Sequence, residues 1–429
     1  MSDKDAKKIE VGGRTYNRWH ILFTVLVMTF MVCLDSSIVT VALPVMQKEL
    51  HAGLDEIQWV SSVYLISTCL ALLPFGQMGD RLGKVYVFQA GVLAFTAGSL
   101  LCGLAETLPV LVVARAVQGV GCALAMANNM GIITEAFPAH ERGRAMGMLS
   151  TFVALGMMAG PVMGGIIVQA FAWEGIFLIN VPVGIVSFLV GLRTLPHVHP
   201  APTPRSERVS LLGAARLCFG NARFTINFAT MLIVFMGIGA SEFILPFYFQ
   251  DAHGFGAGVA SLLFMTLPVV NAVVGPLSGS ISDRVGGEVP TCVGLGVYVA
   301  GLLAVGSLTE AATIPHIVAF VGLMSLGTSI FQSPNNALFM GSAPKQVLGF
   351  AGSLSSLARY AGMAVGISGC SRLLYGRMSE VAGRTVTSYV AGRPDIFLAG
   401  FSFVFHVLAV LAAVGLVLTV VRLVRDRRG

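Results

Sequence analysis

Long apolar runs constrain this chain more strongly than any other feature of its sequence. A helix needs about twenty consecutive apolar residues to cross the hydrocarbon core of a bilayer, and twelve such runs can be read here. The chain is 55% hydrophobic and only 11% charged, whereas soluble domains carry about 25% charged residues. We therefore predict an all-α polytopic membrane protein. Its twelve transmembrane helices cover approximately residues 19–45, 54–76, 85–105, 109–136, 145–169, 174–195, 224–249, 257–279, 289–308, 314–340, 348–372 and 396–421.

Most Lys and Arg residues lie in segments that would share one side of the membrane if both chain termini lay there. Cytoplasmic loops carry such an excess, so we predict a multi-pass protein of a bacterial-type inner (plasma) membrane with both termini in the cytoplasm. The same bias accounts for the net charge of +6 without a nucleic-acid partner. The predicted parts are a cytoplasmic tail, a six-helix bundle, a cytoplasmic linker, a second six-helix bundle and a basic tail, at residues 1–18, 19–195, 196–223, 224–421 and 422–429.

The two halves of the chain repeat each other. The glycine-flanked charged turn GQMGDRLGK returns 203 residues later as GSISDRVGG, and the Asn-Asn pair at 128–129 returns at 335–336. Six helices are therefore repeated. Two homologous six-helix halves are typical of secondary transporters, which bind solute near the bilayer midplane and work by alternating access.

Five segments resemble motifs of the major facilitator superfamily, specifically of its drug:proton antiporter branch. They are the turn GQMGDRLGKV, the first-helix segment LDSSIVTVALP, the fourth-helix segment RAVQGVGCALA, the fifth-helix segment GMMAGPVMGG and the segment WEGIFLINVPVG that follows it. The match departs from that branch in two respects. Thr40 stands where the first-helix motif usually has Asn, and multidrug relatives usually have fourteen spans rather than twelve. The resemblance implies the major facilitator fold and an exporter driven by the proton gradient, with no other cofactor.

Three charged residues within predicted spans are candidates for proton coupling. Asp35 lies deep in the first span, where a carboxylate is costly unless it faces a cavity or a partner. We interpret it as a proton-coupling or cation-coupling group; the alternative is a structural carboxylate that is permanently paired. Arg115, at a compatible depth in the fourth span, is either its partner or an interfacial arginine that reaches towards water. Glu242 is either a second acidic group or an outer-rim residue.

The repeated turn has two interpretations. Its charges can lock neighbouring helix ends as a gate latch that stabilises the outward-open state, or the turn can simply be solvated and enforce topology. We favour the latch because the Asp-Arg pair recurs in both halves. The second copy is expected to be weaker, since it has Gly287 in place of a lysine. The residues assigned to the latch are Gly76, Asp80, Arg81, Gly83, Lys84, Asp283 and Arg284.

The fifth-helix segment places glycines four residues apart on one helix face, with a proline that breaks the backbone hydrogen-bond ladder. This pattern predicts a kinked, closely packed helix at the contact between the two halves. By resemblance it is an antiporter motif; the alternative is ordinary packing through small residues. Its residues are Gly156, Gly160, Pro161, Gly164 and Gly165.

A substrate cavity should be mainly apolar, with methionine and aromatic side chains that adapt to varied shapes and attract cations. The candidate walls are Met28, Met31, Trp59, Tyr64, Phe243, Phe247 and Tyr248.

The sequence as a whole predicts a proton-coupled antiporter that exports amphipathic small molecules, cations among them, and works as a monomer in the lipid bilayer. The first alternative is a proton-coupled importer, or an exporter of a lipid-like or metabolite substrate. A more distant alternative is a non-transporting membrane protein. An enzyme is not predicted, because no nucleophile motif, phosphate-binding loop or metal-spaced histidine pair is visible.

Overall fold

The computed structural model describes residues 8–11, 14–197, 211–344 and 347–428. Contacts among them divide the chain into two compact units, Met1–Met46 with Trp59–Ser206 and Gln47–Gln58 with Glu207–Gly429. The predicted fold class is confirmed: the protein is helical and polytopic. Eleven helical segments of the described ranges are long and apolar enough to cross a membrane.

The helices follow the apolar runs of the sequence. Those before residue 198 are α1 (Arg18–Glu49), α2 (Leu54–Leu82), α3 (Lys84–Gly103), α4 (Leu108–Ala136), α5 (Ala139–Ala170), α6 (Gly175–Leu178) and α7 (Asn180–Thr194). Those after residue 210 are α8 (Leu211–Phe219), α9 (Ala222–Phe247), α10 (Ala257–Phe264), α11 (Thr266–Val285), α12 (Glu288–Gly306), α13 (Ile314–Gly341), α14 (Leu348–Ala382) and α15 (Pro394–Arg428).

Several predicted spans consist of two helical pieces. The short α6 and α7 together form one span, as do α10 and α11, and a π-helical turn, Tyr248–Ala252, extends α9. The predicted eleventh span corresponds to α14, which the structure extends to 35 residues. Its serines, glycines and arginines make α14 less apolar than the eleven segments described above.

The N-terminal segment contains a small β-hairpin that the sequence interpretation missed. Strand β1 (Lys8–Val11) pairs antiparallel with β2 (Arg14–Asn17), and Lys8 lies opposite Asn17. Two short alternating runs that flank a Gly-Gly pair are a recognised hairpin signal in a sequence. The predicted cytoplasmic tail is therefore partly structured, while most of the predicted central linker lies outside the described residues.

The internal repeat is visible in how helices approach each other within each unit. A Cβ atom added to Gly121 of α4 would lie 2.7 Å from the Cα of Phe95 on α3. In the second unit, a Cβ atom on Gly327 of α13 would lie 2.8 Å from the Cβ of Tyr298 on α12. Phe95 and Tyr298 are 203 residues apart, the offset of the repeated turn. The same close helix pair is thus built twice from equivalent glycines.

Candidate functional site

The carboxylate of Asp35 on α1 is completely buried and accepts three hydrogen bonds. Its Oδ2 accepts from Nη1 of Arg115 at 2.7 Å, in an ion pair. Its Oδ1 accepts from Nε2 of Gln118 and from Nδ2 of Asn180, both at 2.8 Å. We call these four residues, which come from α1, α4 and α7, the Asp35 cluster. Three donors around one carboxylate are the arrangement expected for its ionised form.

Arg115 has further partners that do not depend on Asp35. Its Nε donates to the backbone oxygen of Val60 at 2.9 Å, and Nη1 also donates to Oε1 of Gln118 at 2.6 Å. The guanidinium carbon lies 4.2 Å from the centre of the Tyr64 ring and 5.6 Å from that of Phe177. The side chain is buried, so these contacts take the place of water around the cation.

Gln118 connects the two charged residues to a third helix. Its Nε2 donates to Oγ of Ser99 on α3 at 2.7 Å as well as to Asp35. The thiol of Cys102 approaches its Oε1 at 3.7 Å. Because the glutamine is one helix turn from Arg115, both side chains lie on the same face of α4. The side-chain amide of Gln118 therefore fixes the relative positions of Asp35 and Arg115.

The glycine face of α5 packs directly against the part of α1 that carries Asp35. A Cβ atom on Gly156 would lie 2.7 Å from the backbone oxygen of Phe30, and one on Gly164 would lie 3.1 Å from that of Ile38. Between them, a Cβ atom on Gly160 would overlap the Ser37 side chain and lie 2.8 Å from the backbone nitrogen of Ile38. The structure shows close packing of this face, with α1 as its neighbour, and a contact of α5 with the other half of the chain stays a prediction. These glycines contact α1 within the first unit, because their spacing specifies a face and not its neighbour.

We expect Gly160→Ala to destabilise the protein by about 1–3 kcal/mol, the usual cost of overpacking, because the backbone of α1 cannot yield as a flexible side chain would. The measurement is unfolding of the purified protein in detergent. The matched control is Gly296→Ala on α12, where an added Cβ atom meets nothing within 4 Å. There the better helix propensity of alanine should be neutral or stabilise by up to about 1 kcal/mol. Equal effects of the two variants would contradict the α1–α5 contact.

The second unit repeats the close packing of α3 against α4, with α12 against α13, but it lacks the polar cluster. A Cβ atom on Gly98 of α3 would lie 2.7 Å from the Cα of Gln118, and one on the equivalent Gly301 would lie 2.9 Å from the Cβ of Met324. Met324 thus takes the position of Gln118. At the same offsets of 203 or 206 residues, the counterparts of Asp35, Ser99 and Arg115 are all apolar: Ile238, Leu302 and Val321. The six-helix scaffold therefore packs with apolar residues at these positions, which argues against a purely structural role for the cluster.

The two copies of the charged turn share one backbone geometry. Gly83 has φ 106° and Gly286 has φ 85°, conformations that strongly favour glycine. The amide of each donates to a carbonyl four residues earlier, Gly79 and Ser282 respectively, at 2.9 Å in both cases. The glycines therefore end α2 and α11 in the same way.

The aspartates of the predicted gate latch, Asp80 and Asp283, have side chains outside the described residues. Arg81 and Arg284 are exposed, so their pairing in a latch stays a prediction. Gly76 lies within α2, one to two helical turns before the loop that follows this helix.

Lys84 is held by α4. Its aliphatic chain lies over Gly131, where an added Cβ atom would be 2.6 Å from its Cδ, and its Nζ forms an ion pair with Glu135. In the second copy the small and large residues are exchanged: a Cβ atom on Gly287 would lie 3.0 Å from Cγ of Leu338. The first copy thus has an ion pair where the second has an apolar contact. The pair is partly exposed, so its contribution to stability is small.

Glu242 lies on α9 in the second unit and is half-buried. The principal opposite charge acting on it is Arg359 of α14, whose guanidinium carbon lies 6.0 Å from the centre of the Phe235 ring. Glu242 therefore has a basic residue nearby within its own unit. Its assignment to proton coupling stays a prediction.

Most predicted cavity residues are buried by helix packing. Tyr64 lies under the guanidinium of Arg115, and Tyr248 donates to the backbone oxygen of Thr309 at 2.8 Å while its ring stacks on Phe401. Trp59 is 45% exposed. The remaining candidates have exposures of 1% or less: Met28, Met31, Phe243 and Phe247. A role in substrate binding stays a prediction for all seven.

Sequence reasoning missed Gln118, Ser99 and Asn180. Gln118 and Asn180 fall inside segments already singled out, RAVQGVGCALA and WEGIFLINVPVG. The available signal was an amide at intramembrane depth, since polar side chains there hydrogen-bond to other helices.

A family model described as "Major Facilitator Superfamily" matches residues 25–367. Among curated proteins, the riboflavin transporter RibZ of Clostridioides difficile (strain 630) is 27% identical over 397 residues, covering 81% of this chain and 86% of the relative. The tetracenomycin C resistance and export protein of Streptomyces glaucescens is 28% identical over 414 residues, covering 85% of this chain and 77% of the relative.

Among solved structures, the chain is similar to a bacterial homologue of the human lysosomal transporter Spinster in an inward-facing and unoccupied conformation. The TM-score is 0.75 and the alignment covers 94% of this chain and 96% of the other. Sequence identity is 17%, so this likeness supports the fold alone.

Proposed function

The chain belongs to the Major Facilitator Superfamily, and on that premise we propose that it is a proton-coupled antiporter that exports amphipathic small molecules, cations among them. The family and the relatives are transporters, not enzymes. The protein is therefore a multi-pass membrane protein with a small-molecule substrate. The observation that carries the finer proposal is the sealed carboxylate of Asp35, held by Arg115, Gln118 and Asn180 inside a membrane-spanning unit.

Asp35 is the group that binds the transported proton. A carboxylate at this depth is stable as an ion only while its donors surround it. If helix movement separates Arg115 from Asp35, or opens the Asp35 cluster to one side of the membrane, the protonated form of Asp35 becomes more stable than the ionised form. Alternating access then lets the proton enter from one side of the membrane and leave on the other.

Arg115 remains stabilised while Asp35 is protonated. The backbone oxygen of Val60, Oε1 of Gln118 and the face of the Tyr64 ring keep contact with the guanidinium. A buried cation that lost its only partner would cost several kcal/mol, and these neutral contacts reduce that cost. The ion pair is therefore able to break and re-form during a transport cycle.

Export is favoured by the relative whose name includes resistance and export, the tetracenomycin C protein. Half-buried Glu242 supplies a carboxylate that can attract cationic substrates. The energy source is the proton gradient. The protein lies in a bacterial-type plasma membrane with both termini in the cytoplasm, and it works as a monomer. The gate latch and the glycine face of α5 against α1 control which side is open.

The second candidate function is proton-coupled import of a metabolite, by symport. It is favoured by RibZ, a relative named as a riboflavin transporter, which matches over 86% of its length. The two candidates differ in the direction in which protons move relative to substrate, as well as in substrate chemistry.

Proteoliposomes without a starting pH gradient separate these candidates. Ethidium, tetracenomycin C or riboflavin is added outside, with a lumenal pH dye as readout and the membrane potential clamped. Antiport raises the lumenal pH as substrate enters, whatever the orientation of the protein, while symport lowers it. A rise with at least one compound, absent from protein-free vesicles, is the expected result. A fall, or no change with any compound, would contradict the proposal.

A further inference from the structure

We propose that Asn180 is a positioning residue that sets the pH at which Asp35 takes up its proton and connects that event to α7. The inference rests on the proposed function, because it takes Asp35 as the coupling carboxylate. Nδ2 of Asn180 donates to Oδ1 of Asp35 at 2.8 Å, and the asparagine is 1% exposed.

Asn180 lies within the transmembrane span Gly175–Thr194, where the backbone of Ile179 remains helical and its amide donates to the carbonyl of Gly175 at 3.1 Å. Asn180 is the first residue of α7, and only Ile179 separates it from the four-residue α6. Phe177 of α6 lies with its ring centre 5.6 Å from the guanidinium carbon of Arg115. The α6–α7 segment therefore contacts both members of the ion pair, so a movement of this segment changes both environments together.

The two amides determine which oxygen of Asp35 is available to a proton. Oδ1 accepts from both Gln118 and Asn180, so both of its lone pairs are engaged. Oδ2 accepts from Arg115 within the described residues. The proton therefore enters at Oδ2, the oxygen that the arginine leaves. Without Asn180, Oδ1 has a lone pair free and the ionised carboxylate loses a neutral donor.

Within the described residues, Arg115 is the charged residue that forms an ion pair with Asp35. The glycine face of α5 adds no titratable group beside it, and α6 and α7 contribute Phe177 and Asn180. The other titratable groups near Asp35 within the described residues are uncharged thiols and a phenol: Cys33 on α1, Tyr64 on α2, Cys102 on α3 and Cys122 on α4. A change in the protonation midpoint after replacing Asn180 therefore reports the lost amide donor.

The test is an infrared titration of the protein in lipid, which follows the carboxyl band that Asp35→Asn removes. Asn180→Ala removes the amide, and Asn180→Leu replaces it with a branched apolar side chain of larger volume, so that an effect common to both variants is not caused by a cavity or by overpacking. Both should move the midpoint of proton uptake upward by about one to two pH units, the size expected for one hydrogen bond to a charged group. The matched control is Asn129→Leu, since Asn129 is also buried but donates to Thr29 at 2.8 Å.

An unchanged midpoint in both Asn180 variants, or an equal shift in Asn129→Leu, would overturn the role of Asn180. This readout needs no substrate, so it fails separately from the proposed function. Vesicles that show no substrate-driven proton movement would overturn antiport while the titration still decides how Asn180 acts on Asp35. The absence of any Asp35-dependent band over the accessible pH range would overturn both.

Discussion

Replacing Asp35 with asparagine is expected to abolish substrate-driven proton movement, reducing the lumenal pH change in proteoliposomes to the level of protein-free vesicles. An amide does not take up a proton in the physiological range, so the cycle loses its proton carrier. Exchange of labelled for unlabelled substrate should continue, because it requires movement of the loaded carrier without net proton transfer. The measurement compares the two assays on the same vesicles.

The retained exchange serves as the folding control for Asp35→Asn. The asparagine must turn its own donor towards either Arg115 or the two amides, and the mismatch costs about 1–3 kcal/mol. Glu242→Gln is the matched comparison, since it neutralises another intramembrane carboxylate. Loss of the pH response in Glu242→Gln with a normal response in Asp35→Asn would transfer the coupling role to the second unit.

Replacing Arg115 with leucine is expected to lower the free energy of unfolding by about 3–5 kcal/mol, the usual cost of removing one partner of a buried ion pair. The loss is large because Asp35 is sealed from water and its remaining partners are neutral amides. The double variant with Asp35→Asn should recover part of this loss, since no buried anion is left. Denaturant unfolding of the two single variants and the double variant measures the coupling between the residues.

Arg359→Leu is the matched control for Arg115→Leu. Arg359 is also an arginine within a predicted transmembrane span, α14, but it is half-buried. Its replacement should cost distinctly less. Two outcomes would contradict the stabilisation assigned to the ion pair. One is an equal loss of unfolding free energy in the two leucine variants, and the other is a double variant no more stable than Arg115→Leu.

The fold was largely predictable because membrane insertion leaves little choice of secondary structure. A run of about twenty apolar residues must satisfy its backbone hydrogen bonds internally, as a helix does. The local irregularities were not predictable. The π-helical turn Tyr248–Ala252 keeps the same overall hydropathy as an unbroken α-helix. The hairpin at Lys8–Asn17 was overlooked because its strands are only four residues each.

The site was predictable where charge marked it. Asp35 and Arg115 could be identified because charged groups are rare at membrane depth, and the structure brings them into contact. Gln118 and Asn180 carry no charge, and which amide reaches the carboxylate depends on the rotation of α4 and α7. The contact of α5 with α1 was missed for a similar reason. Glycine spacing reveals a face that packs closely, while the partner is a property of the assembled bundle.

The most direct test of the central claim is proton release on substrate binding, measured with a pH indicator in a weakly buffered detergent solution. Wild-type protein poised at the midpoint of Asp35 protonation receives whichever of ethidium, tetracenomycin C and riboflavin gives a response in vesicles. We expect wild-type protein and Glu242→Gln to release protons on binding, and Asp35→Asn to bind without release. Equal release by wild-type protein and Asp35→Asn would contradict the assignment of the coupling proton to Asp35.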